Sequence, residues 1–278
     1  MINLILAVVS SALIAIFMRV SSDKVKGNIS MLAVNYLVCL IMAGVYAGFR
    51  VVQPDAEGFG SMLGMGVFNG FLFLASFMCM QFNTAKNGVV LTSIFMRLGL
   101  LVPMTLAVFA FGELPTALQA VGFVIAVAAI VLINFEKGAS GAGSKLSLLL
   151  LLLLGGSCDA MSKIYERLGA AALSDQFLFY TFGMAFILCT ALMLAKKERP
   201  GLAELFYGAI IGIPNFFSAK FLLASLDTLD AVIVYPTYSV ATILVVTLTG
   251  VAVFHERLKK RQWIALGAIL VSLVLLNI

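Results

Sequence analysis

The sequence predicts an all-α polytopic membrane protein of about ten transmembrane helices, arranged as two inverted five-helix repeats. The composition, the length of the apolar stretches and a match between the two halves of the chain lead to this prediction. Of 278 residues, 62% are hydrophobic and 11% are charged, whereas soluble domains carry about 25% charged and 45–50% apolar residues. Because charged residues at 11% of the chain cannot cover an ordinary water-facing surface, we expect the protein to be surrounded by lipid.

Ten apolar stretches approach or exceed the roughly 20 residues that a helix needs to cross a bilayer. They are longer than the alternating segments of about 10 residues found in membrane β-barrels, which favours helices. The first stretch has no basic residues before it and no A-x-A cleavage site after it, so we expect a retained helix. The stretches are 2–20, 29–49, 59–81, 86–111, 116–134, 146–165, 176–195, 203–225, 229–254 and 262–278.

The Lys and Arg residues in the loops and at the ends of the stretches predict an orientation, because short loops rich in these residues stay in the cytoplasm. One side of the membrane receives 13 of them and the other side receives 3, which predicts that both chain ends lie outside. The larger group is Arg19, Lys24, Lys26, Lys86, Lys137, Lys145, Lys196, Lys197, Arg199, Arg257, Lys259, Lys260 and Arg261, and the smaller group is Arg50, Lys163 and Arg167.

A short segment rich in Gly and Ser divides the chain near its middle. The sequence GASGAGS at 138–144 is flexible by composition. We therefore predict a first five-helix repeat at 1–137, a linker at 138–145 and a second five-helix repeat at 146–278. Since five is an odd number of spans, the second repeat must cross the membrane in the opposite direction.

The ends of the two halves match in sequence without a gap, over residues 111–134 and 254–277. Matching Glu, Gln and Asn residues carry this alignment, because apolar matches mean little in lipid-facing helices. Inverted repeats are common in secondary transporters, which hold their substrate near the membrane midplane between the repeats. The identical pairs are Phe111/Phe254, Glu113/Glu256, Gln119/Gln262, Val131/Val274, Leu132/Leu275 and Asn134/Asn277.

With these features the chain resembles the drug/metabolite transporter superfamily, in its ten-helix EamA-like form. The resemblance covers nearly the whole chain and includes the turns Gly-Glu-Leu at 112–114 and His-Glu-Arg-Leu at 255–258. Family members typically carry a Gly nine residues after this Glu. Gly122 has that spacing from Glu113, whereas Ala265 takes the corresponding position in the second half. The resemblance implies small-molecule transport, a cavity lined by the fourth and ninth helices, and termini that are often cytoplasmic, against the count of basic residues.

Arg97 is the principal candidate for a substrate contact. It lies near the middle of its stretch, where a charge is costly unless it faces a partner or a wet cavity. An interhelical ion pair or carbonyl clamp is one interpretation, and binding of an anionic substrate group is the favoured one. Asp159 either pairs with Lys163 on the same helix face, acts as a proton-linked carboxylate, or is the partner of Arg97.

Other polar residues within the stretches are candidates either for substrate contacts or for hydrogen bonds between helices. Pro214 and Pro236 free backbone groups beside some of them. Snorkelling of its ammonium group to the membrane surface explains Lys220 equally well. The candidates are Asn35, Asn69, Asn215, Lys220, Tyr235, Tyr238 and Ser239. Small-residue spacings predict close helix packing at Gly60/Gly64, Gly66/Gly70 and Gly208/Gly212.

The remaining acidic turn residues and the single histidine indicate no catalytic chemistry. Glu113 and Glu256 stand at helix ends, where we expect solvated structural residues near the N-terminus of a following helix. His255 stands among charged loop residues, and the sequence has no metal-binding cluster or activated nucleophile. We therefore expect no enzyme, no cofactor and no metal.

The leading interpretation is a secondary active transporter that moves a small polar metabolite, anionic or zwitterionic, by alternating access. Its expected partners are the small-molecule substrate, protons as a candidate coupling ion, and the lipid bilayer of a prokaryotic plasma membrane. We expect a monomer to suffice, without nucleic acid. The alternatives are an exporter of organic cations or drugs with an aromatic-lined site, a flippase of a lipid-linked headgroup, and a membrane sensor or scaffold that transports nothing.

Overall fold

A computed structural model of the chain describes residues 1–21, 24–134, 145–253, 255 and 260–278. The described residues form ten α-helices and one short 3-10 helix, and contain no β-strand. The helices are α1 (Ile2–Ser21), α2 (Asn28–Tyr46), α3 (Phe59–Leu98), α4 (Leu101–Phe111), α5 (Ala117–Asn134), α6 (Lys145–Leu168), α7 (Ser174–Ala195), α8 (Leu202–Leu226), α9 (Ala231–Ala252) and α10 (Lys260–Leu276), with the 3-10 helix at Ala171–Leu173.

The helices have the length and polarity of membrane spans. Within the described residues, seven helices are long and apolar enough to cross a bilayer, and two shorter apolar helical segments lie at Phe95–Phe111 and Ala117–Leu132. The predicted all-α architecture of about ten helices is therefore confirmed. The linker predicted at 138–145 lies outside the described residues except for its last position.

The break between the third and fourth helices lies elsewhere than the sequence predicts. We expected it between 59–81 and 86–111, but α3 continues through this region and ends just before Gly99. In this region the side chain of Asn83 donates a hydrogen bond to the Cys79 carbonyl, one turn earlier in the same helix, at 2.9 Å. Pro103 explains the actual break, because a proline ring clashes with the carbonyl four residues earlier, here that of Gly99.

The described chain divides into two compact units. The first, which we call unit 1, comprises Met1–Leu74 and Ile164–Asp227. In it α8 packs against α1 and α2, and α2 also packs against α7. Gly212 allows the close approach of α8 to α2, since a Cβ atom there would lie 2.7 Å from the Val38 Cβ and 2.8 Å from the Asn35 carbonyl oxygen.

Unit 2 comprises Ala75–Lys163 and Thr228–Ile278. Here α10 packs along α5, and α9 contacts α4, α5 and α10. Gly122 allows α5 and α10 to pack closely, since an added Cβ there would lie 2.9 Å from the Leu275 Cβ. The glycine that resembles the family pattern therefore has a packing role.

Neither unit corresponds to one half of the sequence. Unit 1 combines α1, α2 and the start of α3 with α7 and α8, and unit 2 combines α4 and α5 with α9 and α10. The main helix contacts in each unit, such as α2 with α7 and α5 with α10, join the two halves of the chain. Each core is therefore shared between the halves.

Candidate functional site

Two of the polar residues singled out in the sequence lie within electrostatic range of Arg97 in unit 2. Arg97 lies at the end of α3, Asp159 in α6 and Tyr238 in α9, and each is partly buried. The charge of the Arg97 guanidinium interacts with the Asp159 carboxyl group and with the Tyr238 phenol. The structure thus places a carboxyl group and a phenol from two other helices within electrostatic range of Arg97.

Two glycines bring α6 close to the junction of α3 and α4. A Cβ atom on Gly99 would lie 3.0 Å from the Gly156 amide nitrogen, and one on Gly156 would lie 2.7 Å from the Val102 Cβ. Larger residues would separate these backbones. Because Arg97 and Asp159 stand two and three residues from these glycines, the close approach keeps the two side chains within electrostatic range.

Tyr235 connects α9 to the same part of α6. Its hydroxyl donates a hydrogen bond to the carbonyl oxygen of Asp159 at 2.7 Å, and its side chain is almost fully buried. Pro236 follows directly and cannot donate a helical hydrogen bond. Ser239 lies one turn further along α9 and is also buried. The Tyr235 hydroxyl therefore anchors α9 to α6, which is a structural use of a residue predicted as a substrate contact.

Lys163 is fully buried and paired with an acid from the other half of the chain. Its ammonium nitrogen lies 2.5 Å from Oε1 of Glu113, and the side chains are 1% and 4% exposed. Oε2 of Glu113 accepts a hydrogen bond from the Ala231 amide at 2.7 Å. The carboxylate thus neutralises a buried ammonium and caps the N-terminus of α9.

The expectation that Glu113 is solvated is therefore wrong. Gly112 has a left-handed backbone conformation, with φ of 69°, which ends α4 and turns the chain. The following glutamate is then directed at α6 and α9. Its partners are remote in the sequence, so the turn motif alone gives no sign of burial. Glu256, its counterpart in the second half, lies outside the described residues.

The three predicted Asn residues lie in unit 1. The Asn215 side chain donates a hydrogen bond to Oδ1 of Asn35 at 3.2 Å, which links α8 to α2. Asn69 is 3% exposed, and its side-chain oxygen has no hydrogen-bond partner among the described residues. Buried side-chain oxygens are rarely left without partners, so Asn69 retains an acceptor for a ligand or a water molecule.

Lys220 is held by two side chains that the sequence analysis did not single out. Its ammonium group pairs with the Asp175 carboxylate in the first turn of α7. The same nitrogen lies 4.3 Å from the centroid of the Tyr46 ring at the end of α2. Snorkelling to water therefore does not fully explain the position of the Lys220 ammonium, because its charge is neutralised by Asp175 within the protein.

Comparison with known proteins identifies the family of this chain. The model of the EamA-like transporter family matches the chain twice, over residues 1–135 and 146–278. The chain belongs to the EamA-like transporter family. The resemblance read from the sequence is thereby confirmed. Membership makes the protein an integral, multi-pass membrane protein of a family of small-molecule transporters, not of enzymes.

Two similar proteins extend over nearly the whole EamA-like chain. An uncharacterized protein of Haemophilus influenzae is 22% identical over 275 residues, which are 95% of this chain and 93% of that protein. The crystal structure of another protein aligns with 99% of this chain and with 94% of its own length, with a TM-score of 0.73 and 15% sequence identity. At this identity the likeness shows a shared fold.

The EamA-like transporter thus contains polar groups in both units. Sequence reasoning found Arg97 and Asp159 because charges within apolar stretches are conspicuous. It missed Asp175 and Tyr46, which stand at helix ends where charged and aromatic residues are ordinary. Their role depends on a contact between helices, and a single sequence carries no information about which helices are in contact.

Proposed function

We propose that this EamA-like transporter moves a small polar metabolite with an anionic group by alternating access, and that Arg97 binds that group. The observation that carries the proposal is the Arg97 cluster in unit 2, where a guanidinium, a carboxylate and a phenol come from three helices. Guanidinium groups bind carboxylates and phosphates through paired hydrogen bonds. Charged residues within membrane spans commonly mark substrate or ion pathways.

Asp159 gives the cluster a means of coupling to protons. Together, the charged forms of Arg97 and Asp159 are neutral, so an arriving anion would leave a net negative charge in a partly buried place. Uptake of one proton by Asp159 restores neutrality and frees the guanidinium for the substrate. The substrate anion and the proton would then bind together and cross the membrane together.

Two features of the chain support an alternating-access mechanism. The family model matches each half separately, and secondary transporters with inverted repeats work by exchanging the conformations of related halves. The break between α3 and α4 follows directly after Arg97, so the proposed anion site lies beside a helix interruption. Interrupted helices are common at the binding sites of such transporters.

The proposal is tested by thermal-shift measurements on the purified protein in detergent. The ligands are metabolites in matched pairs, each carboxylate beside its primary amide, because ligand binding raises the melting temperature by mass action. We expect stabilisation by particular carboxylates but not by their amides, and loss of the effect in Arg97→Gln. Arg167→Gln is the control, since the Arg167 side chain is 40% exposed at the end of α6.

Transport in liposomes tests the coupling. A carboxylate selected by thermal shift should accumulate in wild-type liposomes with an imposed proton gradient. In Asp159→Asn we expect binding without gradient-driven accumulation, since the neutral amide cannot exchange a proton. Normal transport by Arg97→Gln would refute the anion site, and normal accumulation by Asp159→Asn would refute the coupling.

A further inference from the structure

Three side chains from three helices of unit 1 meet in a second cluster, which does not include Arg97. Tyr46 is the last residue of α2, Asp175 stands in the first turn of α7, and Lys220 lies in α8. The Lys220 ammonium pairs with Oδ1 of Asp175 and lies 4.3 Å from the centroid of the Tyr46 ring. One cation is thus bound by a carboxylate and an aromatic face together.

The aromatic side of this cluster is supported by packing. The Tyr46 ring lies 5.4 Å from the Phe216 ring and 6.0 Å from the Phe217 ring, between centroids. Phe217 in turn stacks on Phe221 at 5.5 Å. Phe216 is fully buried, whereas 46% of Tyr46 is exposed. The ring is therefore supported from the protein side and remains accessible from outside.

The acidic side is held by hydrogen bonds to the chain that follows α2. The Gln176 side chain donates to the Arg50 carbonyl at 3.1 Å, and the Tyr180 hydroxyl donates to the Val51 carbonyl at 3.0 Å. Both donors belong to the first two turns of α7, where Asp175 also lies. These bonds hold Asp175 beside the end of α2 without using its carboxylate. The two cation-binding groups are positioned independently of Lys220.

A carboxylate beside the face of an aromatic ring has the chemistry of an alkylammonium site. The carboxylate forms a charge-assisted hydrogen bond, and the ring attracts the cation through its quadrupole. Lys220 reaches this position on a flexible side chain, as a tethered ligand would. The Lys220 and Asp175 side chains are 24% and 27% exposed, so a dissolved ammonium ion can reach the carboxylate when Lys220 moves away.

We propose that Asp175 and the Tyr46 ring form a binding site for small alkylammonium groups, which the Lys220 side chain occupies until a free ammonium displaces it. The occupant is the ammonium group of a small solute. The site itself depends only on the three side chains and their supports.

The test uses methylammonium chloride as the probe and thermal unfolding of the full chain in detergent as the measurement. Wild type, Lys220→Met, and Lys220→Met combined with Asp175→Asn are titrated, each beside NaCl at equal ionic strength. Methionine retains the apolar length of the lysine and removes its charge. We expect saturable stabilisation of Lys220→Met, and roughly tenfold weaker binding to wild type because the tethered ammonium competes.

Three results would overturn the proposal. The first is a response of Lys220→Met no larger than with NaCl, and the second is a response that survives Asp175→Asn. The third is a wild type that ignores the probe at all concentrations, since Lys220 would then be a permanent structural partner. If Lys220→Met does not fold, Tyr46→Leu in the wild-type background should weaken methylammonium binding severalfold, and unchanged binding would refute the site.

The outcome is separable from that of the anion site. Arg97→Gln should leave methylammonium binding unchanged, because the contacts among Tyr46, Asp175 and Lys220 do not involve Arg97. If carboxylates fail to bind but methylammonium binds as expected, the proposed function falls and the cation site stands. If carboxylates bind and methylammonium does not, the cation site falls alone.

Discussion

Replacement of Gly70 by alanine should weaken the packing of α3 against α7. An added Cβ would collide with the Thr181 carbonyl oxygen and lie 2.6 Å from the Met184 Cβ and 3.1 Å from the Ala185 amide nitrogen. Because carbon atoms pack best at about 3.5–4.0 Å, α7 must move away by about 1 Å. Overpacking of this kind typically costs about 1–3 kcal/mol.

Gly64→Ala is the matched control for this prediction. Gly64 lies in the same helix, and an added Cβ there would meet nothing within 4 Å. Alanine is favoured over glycine within a helix by about 1 kcal/mol, and this gain is common to both variants. It cancels in their difference, which leaves about 1–3 kcal/mol of packing energy.

Thermal unfolding in detergent, followed by circular dichroism, measures the difference. At about 2–4 °C per kcal/mol for a chain of this size, Gly70→Ala should melt several degrees below Gly64→Ala. Equal melting temperatures would refute the reasoning, because they would mean that α3 and α7 are not in contact at Gly70.

Two other carboxylates should stabilise the fold through contacts remote in sequence. Glu113→Gln should lower the free energy of unfolding by about 3–5 kcal/mol, because the buried Lys163 ammonium loses its counter-charge. Thermal unfolding should show that adding Lys163→Met to this variant recovers most of the lost stability. A double variant as unstable as Glu113→Gln alone would contradict the prediction. Glu204→Ala should cost about 1–3 kcal/mol, since its carboxylate accepts hydrogen bonds from the Lys26, Gly27 and Gly201 amides. Thermal unfolding beside the exposed Glu57→Ala checks this, and equal stability would count against the cap.

The sequence was sufficient for the architecture because lipid imposes strong rules on composition. Charged residues are rare in the apolar stretches, so Arg97 and Asp159 were conspicuous, and the structure brings them into electrostatic range. The small-residue spacings were equally informative at Gly70 and Gly212, where helices touch. At Gly64 the same spacing has no neighbour, since the pattern does not say which face of a helix is covered.

The sequence was insufficient where a side chain takes its partner from another helix. Glu113 and Lys163 each look like residues of a helix end, and their burial follows only from the packing of α6 and α9. Asp175 was similarly inconspicuous until its pairing with Lys220 was visible. The position of the α3–α4 break was missed because a proline acts on the carbonyl four residues earlier.

The sharing of each unit between the two halves has a consequence for the order in which the chain can fold. When the ribosome has completed the first half, α1 and α2 are already made, but their packing partners α7 and α8 are not. Until α7 and α8 are made, α1 and α2 lie in the membrane without the close glycine packing and the Asn35–Asn215 hydrogen bond that hold unit 1 together. A polypeptide stopped at the linker would therefore lack both cores, and co-expression of the two halves as separate chains should restore what neither can form alone.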